Sequence, residues 1–203
     1  MKISAYYSHL NGYEWLHHHY SELWDEISDT VSSIQAEKSK ISEEDSMRGR
    51  PLYNPPELNA EFEEILVKKH RWFKGRRHNY YVTDDEDVTR SIINEPSERQ
   101  YQIIKDAGKE PINTYNAPDF TKNRVSLEIQ FGKYSFVQFD IFIKHAANFM
   151  QNRIDLGIEI VPMKAMEREM SSGPPYYEKH LHEIIRQGRI WPPVPLILIG
   201  IEP

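Results

Sequence analysis

Apolar positions recur along the chain at two different spacings, and the change of spacing locates the elements. From Tyr13 to about Gln35, the residues Leu16, Tyr20, Leu23, Trp24, Ile27, Val31 and Ile34 follow one another mostly at helical steps. They share one stripe of a long helix, core or dimer seam, while Glu14, Asp25, Glu26 and Asp29 stay outside it. Ahead of it, Lys2 to Tyr7 reads as a short strand closed by the turn signal Asn11-Gly12. Leu58, Phe62, Ile65 and Leu66 mark a second amphipathic helix. Val88, Ile92 and Ile93 mark a third, opened by Thr83 and Glu86 at capping-box spacing. Pro96 suits the first turn of a fourth, running through Tyr101, Ile103 and Ile104 to a capping Gly108.

After Gly108 the spacing falls to two. Val125, Leu127, Ile129 and Phe131 alternate with Arg124, Ser126, Glu128 and Gln130, which is a strand with one polar face. Helical spacing returns between Tyr134 and Arg153 with Phe136, Phe139, Ile143, Ala147 and Met150, and Asp155 to Val161 is again strand-like. Helices flank the loop Ser171-Ser172-Gly173-Pro174-Pro175, and Pro195 to Ile201 reads as a last, buried strand. The β–α–β succession over 124–161 predicts a partly parallel sheet with helices on its faces. The expected fold is therefore α/β, a central mixed sheet of about five strands in one domain over 1–203. Residues 36–56 are polar, carry Glu43, Glu44 and Asp45 in a row and end in Pro55-Pro56, so they read as a loop or mobile arm.

Composition narrows the function. The 203 residues contain no cysteine, which excludes thiol nucleophiles, Cys-ligated zinc and disulfide scaffolds and points to a cytoplasmic protein. The first residues lack the apolar stretch of a signal peptide, and the longest apolar run, Val194 to Ile201, is strand-sized and broken by Pro195. A net charge of −6 does not suggest a nucleic-acid binder in bulk. Locally the picture differs, because Lys68 to His78 carries Lys68, Lys69, Arg71, Lys74, Arg76 and Arg77 with no acid, a candidate for phosphate contacts. The acids Asp84 to Asp87 fit the first turn of a helix better than a metal site. His17, His18 and His19 point in three directions on a helix, and His180 and His182 lack the spacing for a shared metal. No GxSxG elbow, P-loop or GxGxxG is present.

The sharpest chemical pattern is Pro118-Asp119 followed, after eight residues, by Glu128-Ile129-Gln130. Glu128 and Gln130 project from one face of a strand, and Asp119 can enter from the turn or strand before it. Two carboxylates with the Ile129 carbonyl between them make a hard-oxygen half-cage of the kind Mg²⁺ prefers.

That arrangement resembles the PD-(D/E)xK nuclease core. Further segments resemble type II restriction endonucleases of the BglII/BamHI branch: Tyr7 to Gly12, Tyr115 to Phe120, Glu128 to Phe136, Met170 to Gly173, Ile185 to Arg189 and Val194 to Ile201. The likeness spans essentially the whole chain. It implies a homodimer that grips a six-base-pair palindrome with a GATC core and, with Mg²⁺, cuts both strands of double-stranded DNA to leave 5′ GATC overhangs. Asp119 and Glu128 would hold metal and Gln130 would orient the attacking water. The usual lysine of the motif is replaced by Gln130, as in some of these relatives. Lys133 would read guanine, and Ser171, Ser172 and the Gly173 backbone would lie at the DNA, joined by Arg76 and Arg77 on the phosphates. A cognate DNA methyltransferase is the expected partner in the system. Gln130 keeps one alternative open, a sequence-specific DNA-binding protein on the same fold that does not cut.

Overall fold

The structure, a computed structural model, describes residues 1–203 apart from Glu44, Ser46, Met47, Arg76, Lys133, Ser171 and Ser172 and the side chains of Tyr134 and Ser135. The chain divides into two compact units, one formed by Met1–Lys74 with Asp119–Pro203 and the other by Gly75–Pro118.

The larger unit is built on a six-stranded mixed sheet. Its strands are β1 (Lys2–His9), β4 (Phe73–Lys74), β7 (Phe120–Lys122), β8 (Val125–Ile129), β9 (Leu156–Pro162) and β10 (Leu196–Glu202), in the order β1-β10-β9-β8-β7-β4. β8, β9 and β10 run parallel, and β1, β7 and β4 add antiparallel edges. The parallel strands are buried on both faces, as strands covered by crossover helices must be. The expected polar face of β8 exists, but Ser126 and Glu128 are fully buried on it.

Helices α1 (Gly12–His19), α2 (Ser21–Ser33) and α3 (Pro55–Glu64) place Leu16, Leu23, Ile27, Val31, Leu58 and Phe62 in the core that includes Leu127, Ile158 and Ile199. The predicted helix over 13–35 is thus broken in two. Tyr20 leaves helical geometry (φ −151°, ψ 59°), which neither proline nor glycine signals in the sequence. The apolar stripe itself is core, as its spacing requires. α3 continues into a π-helical turn over Ile65–Lys69. The described residues of 36–56 include a small ribbon of β2 (Lys40–Ile41) and β3 (Pro51–Leu52), with Leu52 and Tyr53 buried, so apolar anchors hold the part read as an arm.

On the other face, α6 (Tyr134–Phe139), a π-helical stretch (Asp140–Lys144) and α7 (His145–Met150) form one continuous rod, and α9 (Tyr177–Arg186) lies beyond the short α8 (Lys164–Glu167). Val137, Ile141, Tyr177, Ile184 and Leu198 make the core there. The helical spacing read from the sequence for this rod is met, and most of the residues that marked it lie on its outer side. Phe136, Phe139, Ile143 and Met150 are exposed, at 53, 43, 55 and 73 %, and the side turned inward carries Asp140, Lys144, His145 and Asn148.

The smaller unit pairs β5 (His78–Val82) with β6 (Ile112–Asn116) and carries α4 (Glu86–Ile92) and α5 (Ser97–Asp106). Asp85 caps α4 by accepting from the Val88 N–H at 3.1 Å, so the cap falls two residues after the predicted Thr83. Pro96 is the cap of α5 rather than its first turn, while Gly108, at φ 72°, closes the helix as expected.

Candidate active site

Asp119 sits in the bend that precedes β7, and Glu128 and Gln130 lie at the end of β8. β7 and β8 are antiparallel neighbours, with Phe120 opposite Leu127, so the turn between them brings Asp119 beside Glu128. Two reciprocal bonds fasten the pair. The Asp119 backbone N–H donates to Glu128 Oε2 at 3.1 Å, and the Ile129 N–H donates to Asp119 Oδ2 at 3.2 Å. Gln130 is held by its backbone N–H to the Ile160 carbonyl on β9 at 3.0 Å. The three residues singled out from the sequence are therefore brought together on one sheet end, with the Ile129 carbonyl's residue between them.

The rod over β8 supplies groups that the sequence pattern did not reveal. Lys144 Nζ lies 2.9 Å from Glu128 Oε2 and 2.8 Å from Asp140 Oδ1. Asp140 Oδ2 accepts from Gln130 Nε2 at 2.9 Å. Glu159 stands opposite Glu128 across the β8–β9 pair, completely buried, with His145 Nε2 at 3.4 Å from its Oε2. The signal that could have found this side of the rod is the apolar pair Val137 and Ile141, which share it.

Burial sets the electrostatics. It raises the pKa of Glu128 well above the ordinary carboxylate value against the opposing pull of Lys144, and Asp119 and Asp140 add to the rise. Asp140 is raised for the same first reason. Lys144 loses by its own desolvation but is held above the ordinary lysine value by Glu128 and Asp140. Glu159 is raised strongly by burial, and His145 is lowered to about 3 by burial and then by Lys144. Burial thus disfavours the charged form of both partners in this 3.4 Å approach.

One ammonium faces two carboxylates, and Asp119 adds a third negative group. Glu128 Oε1 is buried without a hydrogen-bond partner. A carboxylate oxygen left in that condition, beside a second acid, suits a hard divalent cation. No cluster of three or more His, Cys, Asp or Glu suited to a metal occurs among the described residues, so such an ion would be held by the two acids, a backbone carbonyl and solvent or substrate.

Of the remaining candidates, Gly173 and Arg77 are among the described residues. Gly173 is exposed at φ 56° in the loop before α9. Arg77 is exposed and lies 4.5 Å over the Tyr115 ring. Arg76, Lys133, Ser171 and Ser172 lie outside the described residues. The basic run is also less bare than its sequence suggests. Lys68 pairs with Glu64 at 3.0 Å, Lys69 with Asp29 at 2.6 Å and Lys74 with Glu63 at 2.5 Å, acids brought in from α2 and α3.

An acidic pair clasped at the end of a buried strand, with an amide two residues on, thus sits on a mixed α/β sheet. Residues 4–201 match the family model "Restriction endonuclease BglII/BglIII", and the chain belongs to that family, making it a type II site-specific deoxyribonuclease. The fold agrees with solved structures of restriction endonuclease BglII. Against the complex with a DNA 16-mer the TM-score is 0.69 at 20 % identity, covering 100 % of this chain and 79 % of that one. Against free BglII it is 0.58 at 19 %, covering 100 % and 80 %. No curated protein matches the sequence. Restriction endonucleases of this kind use divalent metal ions. No helix among the described residues is long and apolar enough to cross a membrane.

Proposed function

We propose that the protein is a Mg²⁺-dependent, homodimeric restriction endonuclease resembling BstYI, cutting a six-base-pair palindrome of the RGATCY kind to leave 5′ GATC overhangs. The observation that carries the catalytic part is the reciprocal clasp of Asp119 and Glu128 with Gln130 beside it. Asp119, Glu128 and the Ile129 carbonyl would hold the cation. When bound, a divalent cation neutralises charge on the scissile phosphate and favours ionisation of water. Gln130 cannot exchange a proton at neutral pH, so its part is to orient the attacking water through its amide. Its nitrogen already faces Asp140, which leaves the amide oxygen as an acceptor for that water.

Dimerisation is supported by the exposed stripe of Phe136, Phe139, Ile143 and Met150. Large apolar side chains aligned on one helix face favour association, and a two-fold protein suits a two-fold site. For base reading we assign Lys133 and the Ser171-Ser172-Gly173 loop, with Arg76 and Arg77 on phosphates; Ser172, able to donate and accept, would tolerate either purine at the outer pair. A cognate methyltransferase would protect host DNA in the cytoplasm.

The test is digestion of unmethylated plasmid with and without Mg²⁺, with sequencing of the fragment ends. Ends that all begin with GATC and arise only with metal are expected. Asp119→Asn should abolish cutting while binding to a GATC duplex persists; ends of another sequence, or cutting by that variant, would overturn the reading.

A further inference from the structure

β8 contributes no cation of its own to the acidic pair, because Gln130 stands two residues past Glu128. A cation reaches the same place from the opposite direction. Lys144 projects from the π-helical stretch, is 8 % exposed, and sets its ammonium 2.9 Å from Glu128 Oε2 and 2.8 Å from Asp140 Oδ1. Asp140, one turn earlier on the same stretch, binds the Gln130 amide nitrogen through its other oxygen at 2.9 Å. Lys144, Glu128, Gln130 and Asp140 therefore close a ring in which each member is fixed by two others, the Glu128–Gln130 link being the strand itself. π-helical insertions concentrate at functional sites because they present side chains that a regular helix would turn elsewhere.

We propose that Lys144 is a positioning residue of the catalytic centre, fixing Glu128 directly and Gln130 through Asp140. The inference rests on the Asp119, Glu128 and Gln130 roles given above. Its first consequence is at Glu128: the ammonium and the Asp119 N–H both occupy Oε2, which leaves Oε1 as the oxygen without a protein partner. Its second is at Gln130. A carboxylate only accepts, so Asp140 dictates which end of the amide faces it and which end is turned to the reaction. An unrestrained glutamine amide would be as free to offer its donor end to water. A buried lysine shared between two carboxylates is costly to desolvate, and structural stability is poorly served by such a pair. Its retention is explained by what it holds in place.

Lys144→Met, Lys144→Arg and Asp140→Asn are compared with the wild type in three measurements. These are single-turnover cleavage, affinity for a GATC duplex without Mg²⁺, and the nitrogen-15 signal of the Gln130 side-chain amide, identified by its loss in Gln130→Glu. Lys144→Met should cleave about 100-fold more slowly, the scale of a lost preorganised contact. Its duplex affinity should stay within about threefold, since no DNA contact is removed. Lys144→Arg should recover at least tenfold of the lost rate, because the fork of a guanidinium can serve both carboxylates. The Gln130 amide signal should move in both Lys144→Met and Asp140→Asn. A folded Lys144→Met that cleaves at the wild-type rate, or an amide signal that neither substitution moves, would overturn the proposal. Should Lys144→Met not fold, Asp140→Asn decides it on the same two readouts. A wild type that fails to cut faults the proposed function instead, and the amide signal then decides the role of Lys144 without reference to cleavage.

Discussion

His145 makes stability fall in acid by an amount the structure sets. Its ring is completely buried, lies against Gly157, and is flanked by Lys144 along the helix and Glu159 across from it. Burial, with a smaller push from Lys144, lowers its pKa from 6.5 to about 3. Above pH about 6.5 the ring is neutral in both folded and unfolded chains and costs nothing. Below that value the unfolded chain takes up a proton that the folded chain refuses, so stability declines until about pH 3. The whole decline is about 5 kcal/mol, and about 3 kcal/mol of it accrues between roughly pH 7.5 and 4.5. Measured against a typical total of about 5–15 kcal/mol, that is a large share. Glu159, Glu128 and Asp140 act in the opposite sense. Burial raises their pKa values, so the folded chain keeps protons that the unfolded chain releases as pH rises above the ordinary carboxylate range, and acid favours the fold on their account. The assay must therefore isolate the imidazole. Urea unfolding followed by tryptophan fluorescence, at about pH 7.5 and 4.5, is to be compared between the wild type and His145→Gln, a substitution of similar size that does not titrate. The wild type should lose about 3 kcal/mol more than the variant over this interval. Equal losses would refute the reasoning and would mean that the ring is protonated in the fold, paired with an ionised Glu159.

Two further outcomes follow from close packing and paired charge. Gly157→Ala should destabilise the fold by about 2–3 kcal/mol in the same urea assay, because the added carbon would stand 2.7 Å from His145 Cγ and 2.8 Å from Nδ1, under a helix that leaves the ring nowhere to go. Glu26→Ala removes the acceptor of the Trp72 indole N–H at 2.8 Å and of Lys122 Nζ at 2.7 Å; a loss of about 2 kcal/mol is expected, with cleavage rate unchanged.

The sheet and the approach of Asp119 to Glu128 and Gln130 were legible in the sequence because their signals are short-range. Alternation from Arg124 to Phe131 identifies β8 and fixes which residues share a face, and the intervening turn needs no tertiary knowledge to bring Asp119 near. Register decided which strands pair, and burial decided what the polar face of β8 looks onto; neither is a local property. The rod over 134–150 was legible as a helix, but not which of its sides faces the core. Apolar residues lie on both its sides, Val137 and Ile141 inward and Phe136, Phe139, Ile143 and Met150 outward, so a rule that equates apolar with buried does not distinguish its faces. The same rule concealed Asp140 and Lys144, whose partners lie on a strand well before them. The basic run shows the converse limit, since the acids that neutralise Lys68, Lys69 and Lys74 come from helices distant from or flanking it in sequence.

The smaller unit, Gly75–Pro118, leaves the sheet after β4 and hands the chain back just before β7. Those two strands are paired, Phe73 with Thr121 and Lys74 with Phe120, so the exit and the return lie side by side. A segment whose ends already meet can be lengthened, shortened or exchanged without altering the order of strands around it. The first residue after the return is Asp119 itself. The two backbone N–H bonds that clasp Asp119 to Glu128 and Ile129 fix that junction to β8. Changes within the inserted unit can then leave the pairing of Asp119 with Glu128 and Ile129 in register, and an engineer who grafts a new insertion has a fixed splice point on either side.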